Sequence, residues 1–268
     1  MLTVQVLLSC MYQQDCSIIE HSNLSKIPTL VINQMDVFKE EKKFISEYLL
    51  WINTPTRGLS VSRNLAIKNS EADICLLADD DEIFEENLVQ KISSAYDEYP
   101  QADIILFNVN NFPIKFGDKV RPLKKWEILK ANSIRITFRL KKIQDKVCFD
   151  TLLGSGTENG GGEENKFLLD CWKQGFKIYF VPVSIATLNK QSSSSWFYTF
   201  DENYFYTRGK ATRYILGFWY ACIYGIYFLV TKYSQYRKNC SIYKAILFLF
   251  KGIVKGIKKT NVYYRKIN

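Results

Sequence analysis

The feature that most constrains this chain is a short apolar run, residues 72–78, followed at once by Asp79, Asp80 and Asp81. An apolar run of this length is typical of a buried strand. In α/β folds, ligands bind where such strands reach the carboxyl edge of the sheet. Three adjacent carboxylates repel one another and favour a divalent cation, and their oxygen ligands suit Mg²⁺ or Mn²⁺. The alternative is a solvated turn that caps the next helix, since the acidic segment 81–86 follows.

Short apolar runs alternate with amphipathic ones through the first half of the chain. We predict strands at 3–9, 29–33, 48–53, 74–78 and 103–109, and helices at 60–69 and 85–99. This alternation predicts an α/β sheet with a nucleotide-type site at the strand ends. The first ten residues lack the positive charge and the long apolar stretch of a signal peptide, so we expect no export signal.

The second half is less regular. Alternating apolar residues predict another strand at 134–138. A glycine-rich loop covers 154–162 and lacks the pattern of a phosphate-binding loop. A helix is predicted over 163–174, followed by a strand over 177–181 that Pro182 stops.

Composition narrows the possible chemistry. The chain has 268 residues, of which 47% are hydrophobic, enough for one large domain or a domain with an appendage. Its one histidine is His21, which argues against a histidine-ligated metal site or a Ser-His-Asp triad. The seven cysteines include no CxxC pair, and we expect buried thiols instead of a disulfide framework or a zinc site.

Charge is distributed unevenly along the chain. Residues 203–268 hold thirteen of the 36 Lys and Arg residues and none of the 27 acidic ones. The first 202 residues are therefore mildly acidic, with 23 basic against 27 acidic side chains. Such asymmetry predicts an acidic partner for the tail, either nucleic acid or an anionic membrane surface.

The sequence of the tail favours a membrane surface over nucleic acid as this partner. Residues 214–230 form an uncharged apolar run that is slightly short for a span and is interrupted by Gly217 and Gly225. A second segment, 242–259, places four lysines on one helix face, a pattern typical of a helix lying in the membrane interface. They are Lys244, Lys251, Lys255 and Lys258. We expect residues 214–259 to bind an anionic membrane surface at the cytoplasmic face of the cell membrane. Ordinary core helices are the alternative.

Two further groups carry candidate chemistry. Gly58 opens a predicted helix that contains Arg63, where free backbone N–H groups and a guanidinium favour phosphate. Glu163 and Glu164 begin the helix after the glycine-rich loop, where a carboxylate can act as a general base toward a hydroxyl group. A surface ion pair for the arginine, and helix-dipole stabilisation for the glutamates, are the non-functional alternatives.

Three motifs occur together in a diagnostic order. The chain reads Arg-Gly-Leu-Ser-x-x-Arg-Asn-x-Ala at 57–66, Asp-Asp-Asp at 79–81 and Gly-Glu-Glu-Asn-x-Phe at 162–167. In this it resembles family 2 glycosyltransferases with the GT-A fold, above all those that assemble bacterial surface polysaccharides, over roughly residues 1–200. The resemblance implies an inverting, metal-dependent transfer of a sugar. The donor would be a nucleotide-sugar, most often a UDP-sugar, and the acceptor a saccharide or a lipid-linked saccharide.

The resemblance also implies roles for single residues. Asp81, with Asp79, would bind Mn²⁺ or Mg²⁺, and Glu164 or Glu163 would be the catalytic base. The implied contacts to the nucleobase, ribose and diphosphate are Ser9, Asn33, Gln34, Arg57, Arg63, Asp79 and Asp80. A GT-A domain would cover 1–205, with a nucleotide-sugar half at 1–110 and an acceptor half at 111–205. The helical membrane tail would then cover 206–268.

Two departures from the family pattern leave other functions open. Glu164 stands where the family usually has an aspartate, and residues 186–189 contain no histidine where many relatives bind metal. A catalytically silent member that binds saccharides or acts as a scaffold is one alternative. A sugar nucleotidyltransferase is another, but no glycine-rich loop with a lysine follows the first strand.

Overall fold

The computed structural model of the protein describes residues 2–112, 116–189 and 199–257. The chain divides into two compact units. The first unit contains Met1–Thr151 and Glu163–Ser194, and the second contains Leu152–Gly162 and Ser195–Asn268. The glycine-rich segment therefore groups with the tail.

One mixed β-sheet organises the first unit. Its strands are β1 (Val4–Met11), β2 (Thr29–Gln34), β3 (Glu41–Ser46), β4 (Leu49–Thr54), β5 (Ile74–Asp79), β6 (Glu82–Phe84), β7 (Ile104–Val109), β8 (Arg121–Pro122), β9 (Ile136–Arg139) and β10 (Ile178–Leu188). They lie in the order β3-β4-β2-β1-β5-β9-β7-β10-β6, and β8 also pairs with β10. The predicted mixed α/β sheet is confirmed.

Helices accompany this sheet. In the first unit they are α1 (Ser17–His21), α2 (Leu59–Asn69), α3 (Leu88–Glu98), α4 (Lys125–Ile128), α5 (Leu140–Ile143) and α6 (Glu163–Lys173). Apolar side chains of β1, β5 and β7 share one buried core with Leu88, Ile92 and Tyr96 of α3. Their continuous burial explains why these strands read as unbroken apolar runs in the sequence.

The site depends on four parallel strands. β4, β2, β1 and β5 lie side by side in parallel, so their carboxyl ends meet at one edge of the sheet. The register places Ser9 opposite Asp79 and Cys10 opposite Asn33. The predicted site residues at these strand ends are therefore neighbours.

Two strands differ from the sequence-based prediction. Every residue of β3 is exposed, and with no buried face it has no apolar pattern to predict it from. β10 continues through Pro182, so the prediction that this proline ends the strand was wrong. The register between β10 and β7 shifts between Phe180 and Ser184, and a bulge of this kind tolerates a proline.

The second unit is helical in its described part. It contains α7 (Glu202–Leu216), α8 (Phe218–Thr231), α9 (Tyr233–Tyr236) and α10 (Ile242–Lys255). Gly217 adopts φ +79° between α7 and α8 and divides the apolar run 214–230 between two helices. Across the residues described, we find no helix with the length and apolarity needed to cross a membrane.

Two glycines allow α7 and α10 to pack closely. A Cβ atom on Gly209 would lie 2.1 Å from the carbonyl oxygen of Leu249, and one on Gly252 would lie 2.1 Å from that of Tyr206. Either distance is far below a van der Waals contact, so these positions require glycine.

Candidate active site

The end of β5 is held by α2 and by the segment before β9. Both carboxylate oxygens of Asp79 accept hydrogen bonds from Arg63 Nη2, at 3.1 and 3.2 Å. Asp79 Oδ2 also accepts one from the Ser133 hydroxyl at 3.0 Å. Beside it, the Ser62 hydroxyl donates to Ser9 Oγ at 2.8 Å and links α2 to β1. These contacts fix the first carboxylate of the acidic run in place.

Arg63 connects this strand end to the start of α6. Its Nη1 donates to Glu163 Oε1 at 3.2 Å, and the side chain is only 1% exposed. Burial lowers the pKa of the guanidinium, but the attraction of Asp79, Glu163 and Glu164 more than offsets this, so the pKa is raised. Arg63 thus stays charged and brings together two motifs about 80 residues apart in the sequence.

The two glutamates of α6 differ in environment. Glu163 is buried against Arg63, whereas Glu164 is partly exposed. Desolvation and the negative charge of Glu163 raise the pKa of Glu164, and the charge of Arg63 opposes this rise. In the described part of the chain, Oε2 of Glu164 and Oε2 of Glu163 are both buried without a hydrogen-bond partner. A carboxyl group with a raised pKa is a stronger base toward a hydroxyl proton than an ordinary glutamate.

The rest of the acidic run concentrates negative charge. Desolvation first, and then the charges of neighbouring carboxylates, raise the pKa of Asp80 and raise that of Asp81 to about 6. Glu82 is buried directly behind them, and burial followed by the charges of Asp79 and Asp81 raises its pKa well above the ordinary value. Such a cluster is stabilised by an added cation.

The oxygen donors present suit a hard divalent cation such as Mg²⁺ or Mn²⁺. Asp80 is exposed and Asp81 partly exposed, so both are accessible, whereas Asp79 is engaged by Arg63. Among the residues that the structure describes, no three His, Cys, Asp or Glu side chains are grouped to hold a metal. A cation here would take most of its ligands from a bound diphosphate and water.

Asn33 and Gln34 lie at the end of β2 as predicted, but both side chains are buried. The Asn33 amide donates to the Gln13 carbonyl at 2.9 Å and to Asn53 Oδ1 at 3.0 Å. Gln34 Nε2 donates to the Gly58 carbonyl at 3.2 Å. These side chains therefore fix the loops after β1 and β4.

Arg57 belongs to a more accessible group at the same edge. It forms an ion pair with Asp36, and its Nη2 donates to the Tyr12 hydroxyl oxygen at 3.3 Å. The guanidinium also lies over the Tyr12 ring, 5.5 Å from the centroid. Sequence reasoning missed Tyr12 and Asp36, although both come just after parallel strands, the same position that singled out Asp79.

The part of the chain that contains several of these site residues matches a known family. Residues 42–153 match the family described as Glycosyl transferase family 2. Over this range the chain is similar to family 2 glycosyltransferases. The matched range includes Arg57, Arg63 and the acidic run, and the resemblance seen in the sequence is confirmed.

Solved structures share the fold of this chain. S. aureus TarS 1–349 matches with a TM-score of 0.55 and 14% identity, over 78% of this chain and 64% of that one. The same TarS fragment in complex with UDP-GlcNAc matches with a TM-score of 0.57 and 13% identity, over 78% and 65%. Full TarS matches with a TM-score of 0.55 and 13% identity, over 78% and 39%. At this identity the likeness shows the GT-A fold.

The chain spans less than two thirds of the length of each of these TarS chains. No curated protein sequence matches it. The metal, donor-binding and base assignments therefore stay predictions.

Proposed function

We propose that the protein transfers a sugar, with inversion, from a UDP-sugar to a saccharide or lipid-linked saccharide acceptor in bacterial surface polysaccharide synthesis. The observation that carries this proposal is the contact of Arg63 with Asp79 and Glu163, which joins the acidic strand end to the glutamate pair. The structural likeness to TarS bound to UDP-GlcNAc supports a UDP-sugar donor.

Glu164 is the better candidate for the base. Glu163 already accepts a hydrogen bond from Arg63, while Glu164 is the less buried residue of the two and makes no such bond to Arg63. In the proposed reaction Glu164 removes the proton from an acceptor hydroxyl. That oxygen forms a bond to the anomeric carbon, and the bond from the carbon to the diphosphate oxygen breaks on the opposite face. The nucleoside diphosphate leaves with the electron pair.

The donor would lie along the carboxyl edge of the sheet. Tyr12, Asp36 and Arg57 form the accessible polar group there, which suits a nucleobase and its ribose. Asp81 and Asp80 would hold Mn²⁺ or Mg²⁺, and the bound cation supplies positive charge to the departing diphosphate.

We also propose that the second unit attaches the enzyme to the cytoplasmic face of the membrane. α8 carries no charged residue, and Trp219 and Val230 are 78% and 72% exposed on it. Its large exposed apolar residues are Phe218, Trp219, Tyr220, Ile223, Ile226, Tyr227 and Val230. Apolar surface of this extent on a helix is typical of a contact with lipid or protein.

The basic residues of α10 favour lipid over protein as the partner of this exposed surface. Three of its exposed apolar residues, Tyr243, Leu247 and Val254, form one stripe, and the exposed Lys251 and Lys255 lie beside it. In an anionic membrane interface, such an apolar stripe can contact the acyl chains while the flanking lysines contact the headgroups. The predicted Lys258 lies outside the described residues.

A donor screen tests the catalytic proposal. Nucleoside diphosphate release would be measured across UDP- and GDP-sugars with Mn²⁺ or Mg²⁺, with and without saccharide acceptors, for the native chain and Asp81→Ala. Release from one donor that Asp81→Ala abolishes is the expected result, with Asp118→Ala on an exposed segment as the matched control. Absence of both UDP binding and release would favour a silent, scaffold-type protein.

Vesicle sedimentation tests the membrane proposal. The triple variant Trp219→Ser/Ile223→Ser/Val230→Ser should no longer pellet with vesicles containing phosphatidylserine. The matched control is Phe38→Ser/Phe44→Ser, which removes exposed aromatic residues of the first unit and should pellet like the native chain. Unchanged pelleting of the triple variant would refute the role of α8.

A further inference from the structure

Two adjacent residues of α2, Arg63 and Asn64, hold the chain on either side of the glycine-rich segment. Asn64 Nδ2 donates to the Phe149 carbonyl at 2.9 Å, and the Phe149 amide donates back to Asn64 Oδ1 at 2.7 Å. Arg63 holds Glu163, the first residue after the segment. One turn of helix thus holds both Phe149, ahead of this segment, and Glu163, which begins α6.

Aromatic packing reinforces the same connection. The Phe149 ring stacks on Phe167 of α6 with centroids 4.2 Å apart and an interplanar angle of 7°. The Arg63 guanidinium lies over the Phe149 ring of this stack, 5.4 Å from its centroid. The start of α6 is therefore located by charge and by packing together.

The charge balance leaves Arg63 poorly suited to a diphosphate. One guanidinium already faces two carboxylates, those of Asp79 and Glu163. Its Nε is buried and, within the described chain, has no partner. A phosphate group could reach Arg63 only by displacing a carboxylate inside the core, which would leave a buried charge uncompensated.

We infer that Arg63 is a positioning residue, which sets Glu164 against the acidic strand end through Glu163 and does not bind the donor diphosphate. This inference rests on the proposed function, in which Glu164 is the base. It departs from the sequence-based expectation that Arg63 contacts the diphosphate, because that expectation assumed an accessible side chain.

The substitution Arg63→Lys separates the two roles. Lysine keeps the charge but lacks the rigid fork that reaches two carboxylates at once. We expect turnover to fall at least about tenfold while the Kd for UDP with Mn²⁺ changes by less than about threefold. Calorimetry with UDP and a turnover assay on the full chain give the two values. Arg57→Lys, at the accessible site, should instead weaken UDP binding.

A double variant tests whether Arg63 acts through Glu163. Turnover of Arg63→Lys/Glu163→Gln should be no lower than that of the worse single variant, because both changes break one connection. The inference would be overturned if the double variant lost turnover by the product of the two single losses and Arg63→Lys also raised the Kd for UDP about tenfold or more.

Hydrogen exchange provides a measurement that needs no activity. Arg63→Lys should speed amide exchange at 163–167 and leave exchange in α3 unchanged. If exchange at 163–167 does not change, the inference fails whatever the enzyme assays give. Failure of the native chain to bind UDP or release it from any donor would count against the proposed function instead. Should Arg63→Lys not fold, Asn64→Ala breaks the neighbouring contact and serves in the same assays.

Discussion

At the scale of single residues, the two glutamates of α6 show how neighbouring carboxylates come to have different environments. Glu163 holds Arg63 through one oxygen, whereas burial and the charge of Glu163 raise the pKa of Glu164. The sequence placed both at a helix start but did not distinguish them. The distinction comes from a partner 100 residues away, which no local pattern can reveal.

Glu164→Gln should remove most of the activity. An amide has nearly the shape of the carboxylate but cannot accept the acceptor proton, so turnover should fall about a hundredfold or more. The Kd for UDP should stay near the native value. Glu86→Gln, on an exposed position of the first unit, is the matched control. Native-like turnover in Glu164→Gln would exclude it as the base.

Glu164 should also leave a signature in the pH dependence of stability. Its pKa is higher in the folded chain than the ordinary value of about 4.3. Folding therefore favours the protonated form, and this contribution is lost as pH rises from about 4.3 through the folded-state pKa. Glu164→Gln should unfold at a temperature that declines less over this range. Parallel curves for the two proteins would contradict the raised pKa.

At the scale of secondary structure, buried elements followed from the sequence better than exposed or interrupted ones. β2 and β5 are continuous apolar runs, and their predicted bounds lie within one residue of those observed. β3 was missed because Glu41–Ser46 has no buried face, and β10 was predicted too short because its bulge accommodates Pro182. Burial leaves a pattern in the sequence, whereas edge pairing and bulges depend on neighbouring strands.

The crossing of α7 and α10 should be sensitive to a single methyl group. Gly209→Ala or Gly252→Ala would place Cβ against backbone of the other helix, and we expect unfolding free energy to fall by about 1–3 kcal/mol. Urea denaturation measures the change. Gly160→Ala is the control, since a Cβ there meets nothing within 4 Å. Equal stability of all three variants would show that the helices do not depend on this contact.

At the scale of the whole molecule, the sequence indicated the fold and the acidic strand end, but not how the site is held together. Asp79 to Asp81 were found from the strand before them. The sequence did not predict three other features: the burial of Arg63, the hydrogen bonds of Asn33 within the protein and the pairing of Arg57 with Asp36. Each depends on side chains that the sheet brings together from distant parts of the chain.

Membrane binding should depend on both lipid charge and salt. Each lysine near an anionic leaflet contributes about 1 kcal/mol, and the Debye length falls from about 10 Å at 0.1 M salt to about 3 Å at 1 M. Pelleting with phosphatidylserine vesicles should therefore decline at high salt and be weak with phosphatidylcholine alone. Binding that ignores both variables would indicate a purely apolar attachment.

The exposed strand β3 has a consequence for how the purified protein behaves in solution. Among the described strands β3 pairs only with β4, so its outer edge offers free backbone groups to a second copy. Lys42 and Lys43 oppose that approach by repulsion, as charged edge residues do in many sheets. Salt that would weaken the proposed binding to lipid also screens these lysines. Extraction of the protein from lipid would thus need high ionic strength, whereas storage of the purified protein would need low ionic strength. We expect the least aggregation in the more dilute buffer.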